Sequence, residues 1–373
     1  MQTLAELSIK NFRAIKRADI QLDGITVVSG VNGCGKSTIS KLLYYILRNA
    51  NAYEKLVKAD INNQIRPYLR ALDQIQFLAF RYERGHRMLR RIDFDFSSVD
   101  DVIRSIDVIR ELCNRFLEFE ETLQREGKTA VTGRLQMILR STLKAGDDWT
   151  TKKMLDTLVE RISEHCSRAD MLVTERPYRL LKNRIDGLFD ADISKKAVLK
   201  EYGDTVFGEN ISNVPILHYI NKVAYIDTPM VIGMETSMRQ PSYWRELNDL
   251  LKEPPKRGYK RAINNIIKSE IMNGDASFDD DSLSGGFKFK QADGKEFDLL
   301  ECATGIKSFS MLQLLLKNLF LDDSTLMIID EPEAHLHPQW IVEYARLIVL
   351  LHKRVGVKFF IASHSTDMVS SIR

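Results

Sequence analysis

The stretch with the most specific chemistry is Gly30-Val31-Asn32-Gly33-Cys34-Gly35-Lys36-Ser37, followed by Thr38. It fits the phosphate-loop pattern G-x-x-x-x-G-K-[ST] at every fixed position. Gly30, Gly33 and Gly35 let the backbone curl until its N–H groups converge. A helix starting at the loop's end adds the partial positive charge of its N-terminus. In that setting Lys36 reaches the β- and γ-phosphates of a nucleotide, and the Ser37 hydroxyl holds Mg²⁺. The flanks suit the motif. Ile25 to Ser29 is a β-branched run that reads as a strand, and Ile39 to Leu47 carries apolar residues at helical spacing. A glycine-rich turn that merely precedes a helix is the other reading, and these flanks argue against it.

Such a loop needs an acid, and Leu326-Met327-Ile328-Ile329-Asp330-Glu331 supplies two at the end of an apolar strand. Asp330 would hold Mg²⁺, through water. Glu331 is then placed to polarise an attacking water. A strand followed by an ordinary acidic turn would look the same; the loop in the same chain favours the chemical reading. His364 follows the last strand in Ala362-Ser363-His364-Ser365. That is where open α/β sheets bind ligands. Cys34 lies inside the phosphate nest, where a helix N-terminus stabilises a thiolate. It is either an oxidation-sensitive brake or an inert small loop residue.

The elements that must position these residues are legible in part. Leu4 to Phe12, Ala18 to Leu22 and Ile25 to Ser29 alternate or run apolar and predict three strands leading into the loop. Gln74 to Tyr82 and Met88 to Phe96 predict two more, as a hairpin turning at 83–87. From Ser97 to about Glu209 helical periodicity takes over, at Val102, Ile106 and Ile109, at Leu155, Leu158 and Ile162, and at Leu181, Ile185 and Leu188. This is expected to be an inserted helical lobe. Its many arginines form either a solvated face or a nucleic-acid groove. Beyond it, Asn221 to Ile226 predicts a buried strand, Tyr243 to Leu251 and Arg261 to Met272 predict helices, and the acidic 275–281 stretch predicts a mobile loop. Phe287 to Phe289 and Glu296 to Leu300 predict a hairpin, and Thr304 to Leu319 a helix. Thr325 to Ile329, Pro338 to His352 and Val357 to Ala362 predict strand, helix and strand. The expected domains are 1–96 with the phosphate loop, 97–209 as the insertion, and 210–373 with the acidic strand and histidine.

Composition excludes more than it selects. The 373 residues carry a net charge of only +3, so no global attraction to nucleic acid follows. The N-terminal residues lack the basic and apolar regions of a signal peptide, and no apolar run is long enough to span a bilayer. Cys34, Cys113, Cys166 and Cys302 are scattered without zinc spacing, as reduced thiols of a cytoplasmic protein are. No membrane partner is expected.

With these residues in view, the sequence resembles the ABC-type ATPase heads, in particular the SMC, RecF and OLD branch. The resemblance covers about 4–48 and 300–368. Ile9-Lys10-Asn11-Phe12-Arg13 is similar to that branch's opening strand, whose arginine approaches the nucleotide, and this implies the role for Arg13. Glu331-Pro332-Glu333-Ala334-His335-Leu336-His337-Pro338 looks like its Walker B and D-loop, with His337 at the usual aspartate position. Ser363-His364-Ser365 resembles the switch motif, in which the histidine senses the γ-phosphate. Ala303-Thr304-Gly305-Ile306-Lys307-Ser308 lies where the signature motif belongs. Ala303 stands at its usual serine, which leaves Thr304 or Ser308, with Gly305 and Lys307, for the γ-phosphate contact across a dimer. The strand ending at Asp227-Thr228 takes the Q-loop's place without a glutamine. Glu333, His335 and His337 alternate as a zinc cluster might, but the D-loop reading accounts for all three.

The resemblance implies an α/β fold of the P-loop NTPase kind: a mixed sheet, the loop helix packed on it, and a helical lobe inserted between the half-motifs. It implies an ATPase using ATP and Mg²⁺, with two heads in a homodimer or higher oligomer sandwiching two nucleotides. OLD-type and Septu-type anti-phage ATPases suggest a head that drives or gates a nuclease. A slow-turnover clamp or scaffold on DNA or RNA, as in SMC- and RecF-like repair, is the alternative. A transporter ATPase matches the opening strand and D-loop less well. OLD proteins place a Toprim nuclease after the switch histidine. Residues 1–373 contain no such domain, so no nuclease activity is assigned to them.

Overall fold

A computed structural model describes residues 4–82, 99–232, 241–258, 260–280, 286–334 and 336–372. The chain opens with strands β1 (Ala5–Phe12), β2 (Ile15–Gln21) and β3 (Ile25–Ser29) and helix α1 (Lys36–Asn51). Helices α2 (Tyr53–Tyr82), α3 (Val99–Arg125), α4 (Thr129–Leu143), α5 (Thr151–Ser167), α6 (Ala169–Glu175) and α7 (Tyr178–Phe189) follow. Then come β4 (Ala197–Glu201), β5 (Asp204–Phe207), β6 (Lys222–Ile226), α8 (Ser242–Lys252) and α9 (Arg261–Ile266). The last part holds β7 (Gly274–Asp279), β8 (Gly286–Gln291), β9 (Glu296–Asp298), α10 (Thr304–Lys317), β10 (Thr325–Asp330), α11 (Pro338–Val355), β11 (Lys358–Ser363) and α12 (Thr366–Ile372). Among the described residues, no helix is long and apolar enough to cross a membrane.

The chain divides into two compact units, Met1–Asn51 with Leu181–Arg373, and Ala52–Leu180. The first unit holds the strands. Its parallel sheet has the order β3-β11-β10-β6. Every residue of β10 and β11 is buried, and each has a continuous apolar centre, at 326–329 and 359–362, as strands covered on both faces do. Leu312 and Leu315 of α10, Leu347 and Ile348 of α11, Met327 and Ile329 of β10, and Phe359 and Ile361 of β11 share one core. Helix α1 buries Ile39, Leu42, Leu43, Ile46 and Leu47, a stripe at helical spacing that faces inward. An antiparallel sheet β2-β1-β4-β5 and a three-stranded antiparallel sheet β7-β8-β9 complete this unit.

The second unit is helical. Val57, Ile61, Ile65, Leu72, Ile75 and Ala79 of α2 are buried, as are Val102, Ile109 and Phe116 of α3 and Leu155, Leu158 and Ile162 of α5. One buried acid, Glu120, is satisfied by Gln136 Nε2 at 3.0 Å and Thr151 Oγ1 at 2.6 Å.

Several expectations are corrected. Residues 74–82 form the end of α2, not a strand. Their short apolar, aromatic-rich run mimics a strand, but the helix buries Ile75 and Ala79, four apart, and leaves Phe77 and Phe80 each 66% exposed. The companion strand expected over 88–96 and its turn lie outside the described residues. The helical unit runs 52–180 rather than 97–209. Residues 197–207, expected within the insertion, are strands, and β4 pairs antiparallel with β1. The acidic loop expected over 275–281 is strand β7 as far as Asp279. Its charge is tolerated because Lys317 Nζ donates to Asp275 Oδ1 at 2.6 Å and Gln313 Nε2 to the same oxygen at 3.0 Å, while Ala276 faces the core.

Candidate nucleotide-binding site

Strands β3, β11 and β10 lie side by side, and each ends in residues expected to do chemistry. β3 runs into the glycine loop, β11 into His364, and β10 into Asp330 and Glu331. Parallel pairing puts all three C-terminal ends at one edge of the sheet, so residues 300 positions apart in sequence become neighbours.

The loop is held by its own bonds and by β2. Thr38 N and Ile39 N donate to Gly35 O at 3.0 and 3.1 Å, which starts α1. Gly35 has φ +104°, and a Cβ there would lie 2.7 Å from Ile15 Cγ1. Only glycine allows both the left-handed backbone and that approach. With Thr38 N and Ile39 N so engaged, the N–H groups of Lys36 and Ser37, the first two of α1, are the ones left to face an anion. Lys36 is buried, and its Nζ donates to Gly30 O at 2.7 Å and Val31 O at 3.2 Å. It has no carboxylate partner among the described residues. A buried ammonium satisfied only by neutral carbonyls suits an incoming phosphate. Asn32, Gly33, Cys34 and Ser37 are exposed, and Gly30 and Thr38 half-exposed, as a loop open to a ligand requires.

Asp330 is buried and well supported. Tyr225 OH of β6 donates to its Oδ2 at 2.7 Å and Ser40 Oγ of α1 donates to Oδ1, and the Ser37 hydroxyl lies close enough to favour its charged form. Burial raises its carboxyl above the usual range, against the lowering effect of those donors. Ser37 and Asp330, the expected metal pair, are therefore together. Two oxygens from two elements fit Mg²⁺, which keeps several waters and takes few protein ligands.

Glu331 adopts φ +46°, a left-handed conformation rare outside glycine, and its N–H donates to Ala362 O at 2.7 Å. Its carboxylate is 42% exposed and lies 3.8 Å from His364 Nδ1. An exposed acid beside a histidine at a strand end is able to polarise a water there. His364 also shares a cavity of about 670 Å³ with Gly30, Val31 and Asn32.

Glu333, read from sequence only as a D-loop residue, is built into this site. Its Oε1 accepts from Ser363 Oγ at 2.7 Å, His364 N at 2.8 Å and Ser365 N at 3.1 Å. No spacing rule in the sequence announces a carboxylate that caps a turn 30 residues away. Tyr225 and Ser40 were likewise unmarked, each reading as one more residue of a buried strand or helix.

The remaining expected residues are placed less directly. Arg13 is exposed, with φ +50°, and its guanidinium sits 5.3 and 5.5 Å from the Phe12 and Phe189 ring centres. Because Ile15 abuts Gly35, the β1–β2 turn that bears Arg13 lies against the loop. Thr304, Gly305, Lys307 and Ser308 open α10 and are not joined to the loop by any described contact. Lys307 and Ser308 are buried, and Ser308 Oγ donates to Thr304 O at 3.1 Å. Gly305 packs on Trp340 and Leu336 of the segment after Glu331. Asp227, at the Q-loop's place, accepts from Tyr243 OH at 2.8 Å and Trp244 Nε1 at 2.7 Å. His337 caps α11, its Nδ1 accepting from Gln339 N at 3.4 Å. His335 lies outside the described residues, among which no group of three metal-ligating side chains occurs.

Residues 3–121 match the family model described as "AAA ATPase domain", and residues 190–370 match that of "AAA domain, putative AbiEii toxin, Type IV TA system". The chain carries an AAA-type ATPase domain. The loop, with Lys36, lies in the first match, and Asp330, Glu331 and His364 lie in the second. The P-loop ATPase head expected from the sequence is thus the fold observed. Similar solved structures include an Smc head domain with an extended coiled coil, bound to the C-terminal domain of ScpA, from Pyrococcus furiosus. It is 12% identical over 98% of this chain and 90% of that one, with TM-score 0.35. The SMC head domain from Thermotoga maritima is 12% identical over 47% of this chain and 60% of that one, with TM-score 0.30.

Proposed function

We propose that this ATPase domain binds ATP with Mg²⁺ and hydrolyses it as one half of an ATP-bound dimer. The observation that carries the reading is the convergence of Lys36, Asp330, Glu331 and His364 at one sheet edge from three adjacent parallel strands. Bound Mg²⁺ supplies charge neutralisation between the phosphates. Lys36 and the loop amides hold the β- and γ-phosphates. Ser37 and Asp330 hold the metal. Glu331 accepts the proton of the attacking water, and His364 donates to the γ-phosphate. Arg13 reaches the nucleotide from the β1–β2 turn. A second copy caps the γ-phosphate through the start of α10, led by Thr304, with Gly305, Lys307 and Ser308 shaping that helix end.

ATP drives closure only through its greater affinity for the closed state. The domain then drives or gates a nuclease or nucleic-acid-linked partner in a cytoplasmic defence system. The toxin–antitoxin description of the family matched by 190–370 supports defence over repair.

Glu331→Gln tests the core of this reading. The amide keeps the shape of the side chain but cannot act as base. The variant should bind ATP, hydrolyse it 10²–10⁴-fold more slowly, on the order expected for a lost general base, and elute as a dimer with ATP and Mg²⁺. Wild-type turnover in this variant would show that another group activates the water.

A further inference from the structure

Glu333 combines features that a turn cap alone does not need. It is buried, and one oxygen already takes three donors from 363–365. One serine hydroxyl and two amides could also be satisfied, though less strongly, by a neutral amide oxygen. A charge is nevertheless placed here, and its Oε2 is buried with no hydrogen-bond partner among the described residues. Leaving a carboxylate oxygen in that state is costly unless the charge acts on something close by. A titratable group is at hand in His364, whose Nδ1 lies 3.4 Å from Glu333 Oε1. Glu331 Oε1 lies 3.8 Å from the same nitrogen. Two carboxylates therefore converge on Nδ1, and Nε2 is the nitrogen left for a ligand in the cavity that His364 lines with Gly30 and Asn32.

We propose that Glu333 is the positioning residue for His364: it fixes the 363–365 turn and holds the ring as the Nδ1–H tautomer. A carboxylate behind a functional imidazole fixes which nitrogen carries the proton and which way the ring faces. Here one side chain does both, because the oxygen that accepts from the His364 backbone N–H is also the one nearest its ring. The 3.4 Å separation is longer than a formed hydrogen bond, so a small rotation of the ring, such as a ligand at Nε2 could induce, would complete it. The inference rests on the ATPase reading for its consequence, not for its geometry.

The test combines ring NMR with turnover. The protein has only seven histidines, so comparing ¹⁵N-histidine-labelled wild type with His364→Ala assigns the ring. Wild type should show the Nδ1–H tautomer at alkaline pH. Glu333→Ala should move the ring toward Nε2–H and lower ATP turnover about 10–100-fold, the scale of lost outer-shell partners. ATP affinity, which rests mainly on the loop, should stay within about threefold. Glu333→Gln keeps an acceptor for the three donors but loses the charge, and should fall between. Glu333→Ala/His364→Ala should turn over no more slowly than His364→Ala, since one residue acts through the other.

An Nε2–H ring in wild type, an unchanged ring in Glu333→Ala, or a multiplicative loss in the double variant overturns the proposal. Should Glu333→Ala fail to fold, the ring in wild type and in Glu333→Gln decides the question. A wild-type protein that binds but never hydrolyses ATP would sink the ATPase reading, while the tautomer measurement would still judge Glu333.

Discussion

Replacing Gly305 with alanine should destabilise the protein, although alanine is the better helix former. The added Cβ would lie 2.7 Å from Trp340 Cε3, 3.1 Å from Cζ3 and 3.2 Å from Leu336 Cδ2. The half-buried indole retreats only by giving up an aromatic contact. It stands edge-on to Phe309 with ring centres 5.4 Å apart, and Phe309 is fully buried against Tyr344 at 5.1 Å. Inserting a methyl into such a site costs about 1–3 kcal/mol. The helix-propensity gain of about 0.5–1 kcal/mol offsets part of that, and least in a first turn such as this. A net loss of about 1–2 kcal/mol follows. Urea unfolding followed by fluorescence should show a lower midpoint for Gly305→Ala, with Trp340 reporting from the site. In a Trp340→Leu background the penalty should shrink, because the clash partner is gone. An unchanged or raised midpoint, or an equal loss in both backgrounds, would refute the packing argument. The same geometry means that Gly305→Arg and Gly305→Asp, natural choices for blocking a second subunit, would disrupt the chain's own core. A defect in dimerisation from either substitution would therefore not isolate a contact across subunits.

Lys36→Ala should weaken ATP binding severely, read by titration with a fluorescent ATP analogue, because the buried ammonium is the loop's only fixed charge; normal affinity would sink the phosphate-loop assignment. Tyr225→Phe removes a donor from buried Asp330 and should cost about 1–3 kcal/mol of stability, read by denaturant unfolding; wild-type stability would mean that the Ser40 bond suffices. Cys34 is exposed in the loop, so its alkylation should abolish ATPase activity and ATP should protect it. Full activity after confirmed modification would make it an inert loop residue.

The glycine loop, the acidic strand end and the strands that bear them were legible in the sequence because each is a local signal. The loop needs glycines at fixed offsets, and the centres of β10 and β11 are continuously apolar because neighbours cover both faces. Those features follow from backbone geometry and solvent exclusion, which act over a few residues. Where the local signal was ambiguous, tertiary burial decided. Residues 74–82 hold a short apolar, aromatic-rich run like a strand's, yet the helical core selects Ile75 and Ala79 and turns Phe77 and Phe80 outward. Residues 275–279 carry charge like a loop, yet Lys317 and Gln313 neutralise and pair Asp275 from α10, so the segment can lie in a sheet. The supports of the site were beyond any local reading. Tyr225 reaches Asp330 from 105 residues away, and Glu333 reaches the 363–365 turn from a different strand end. Such pairs leave no periodicity or spacing in the chain, because a hydrogen bond between distant residues is specified only once parallel pairing of β3, β11, β10 and β6 has brought their ends together.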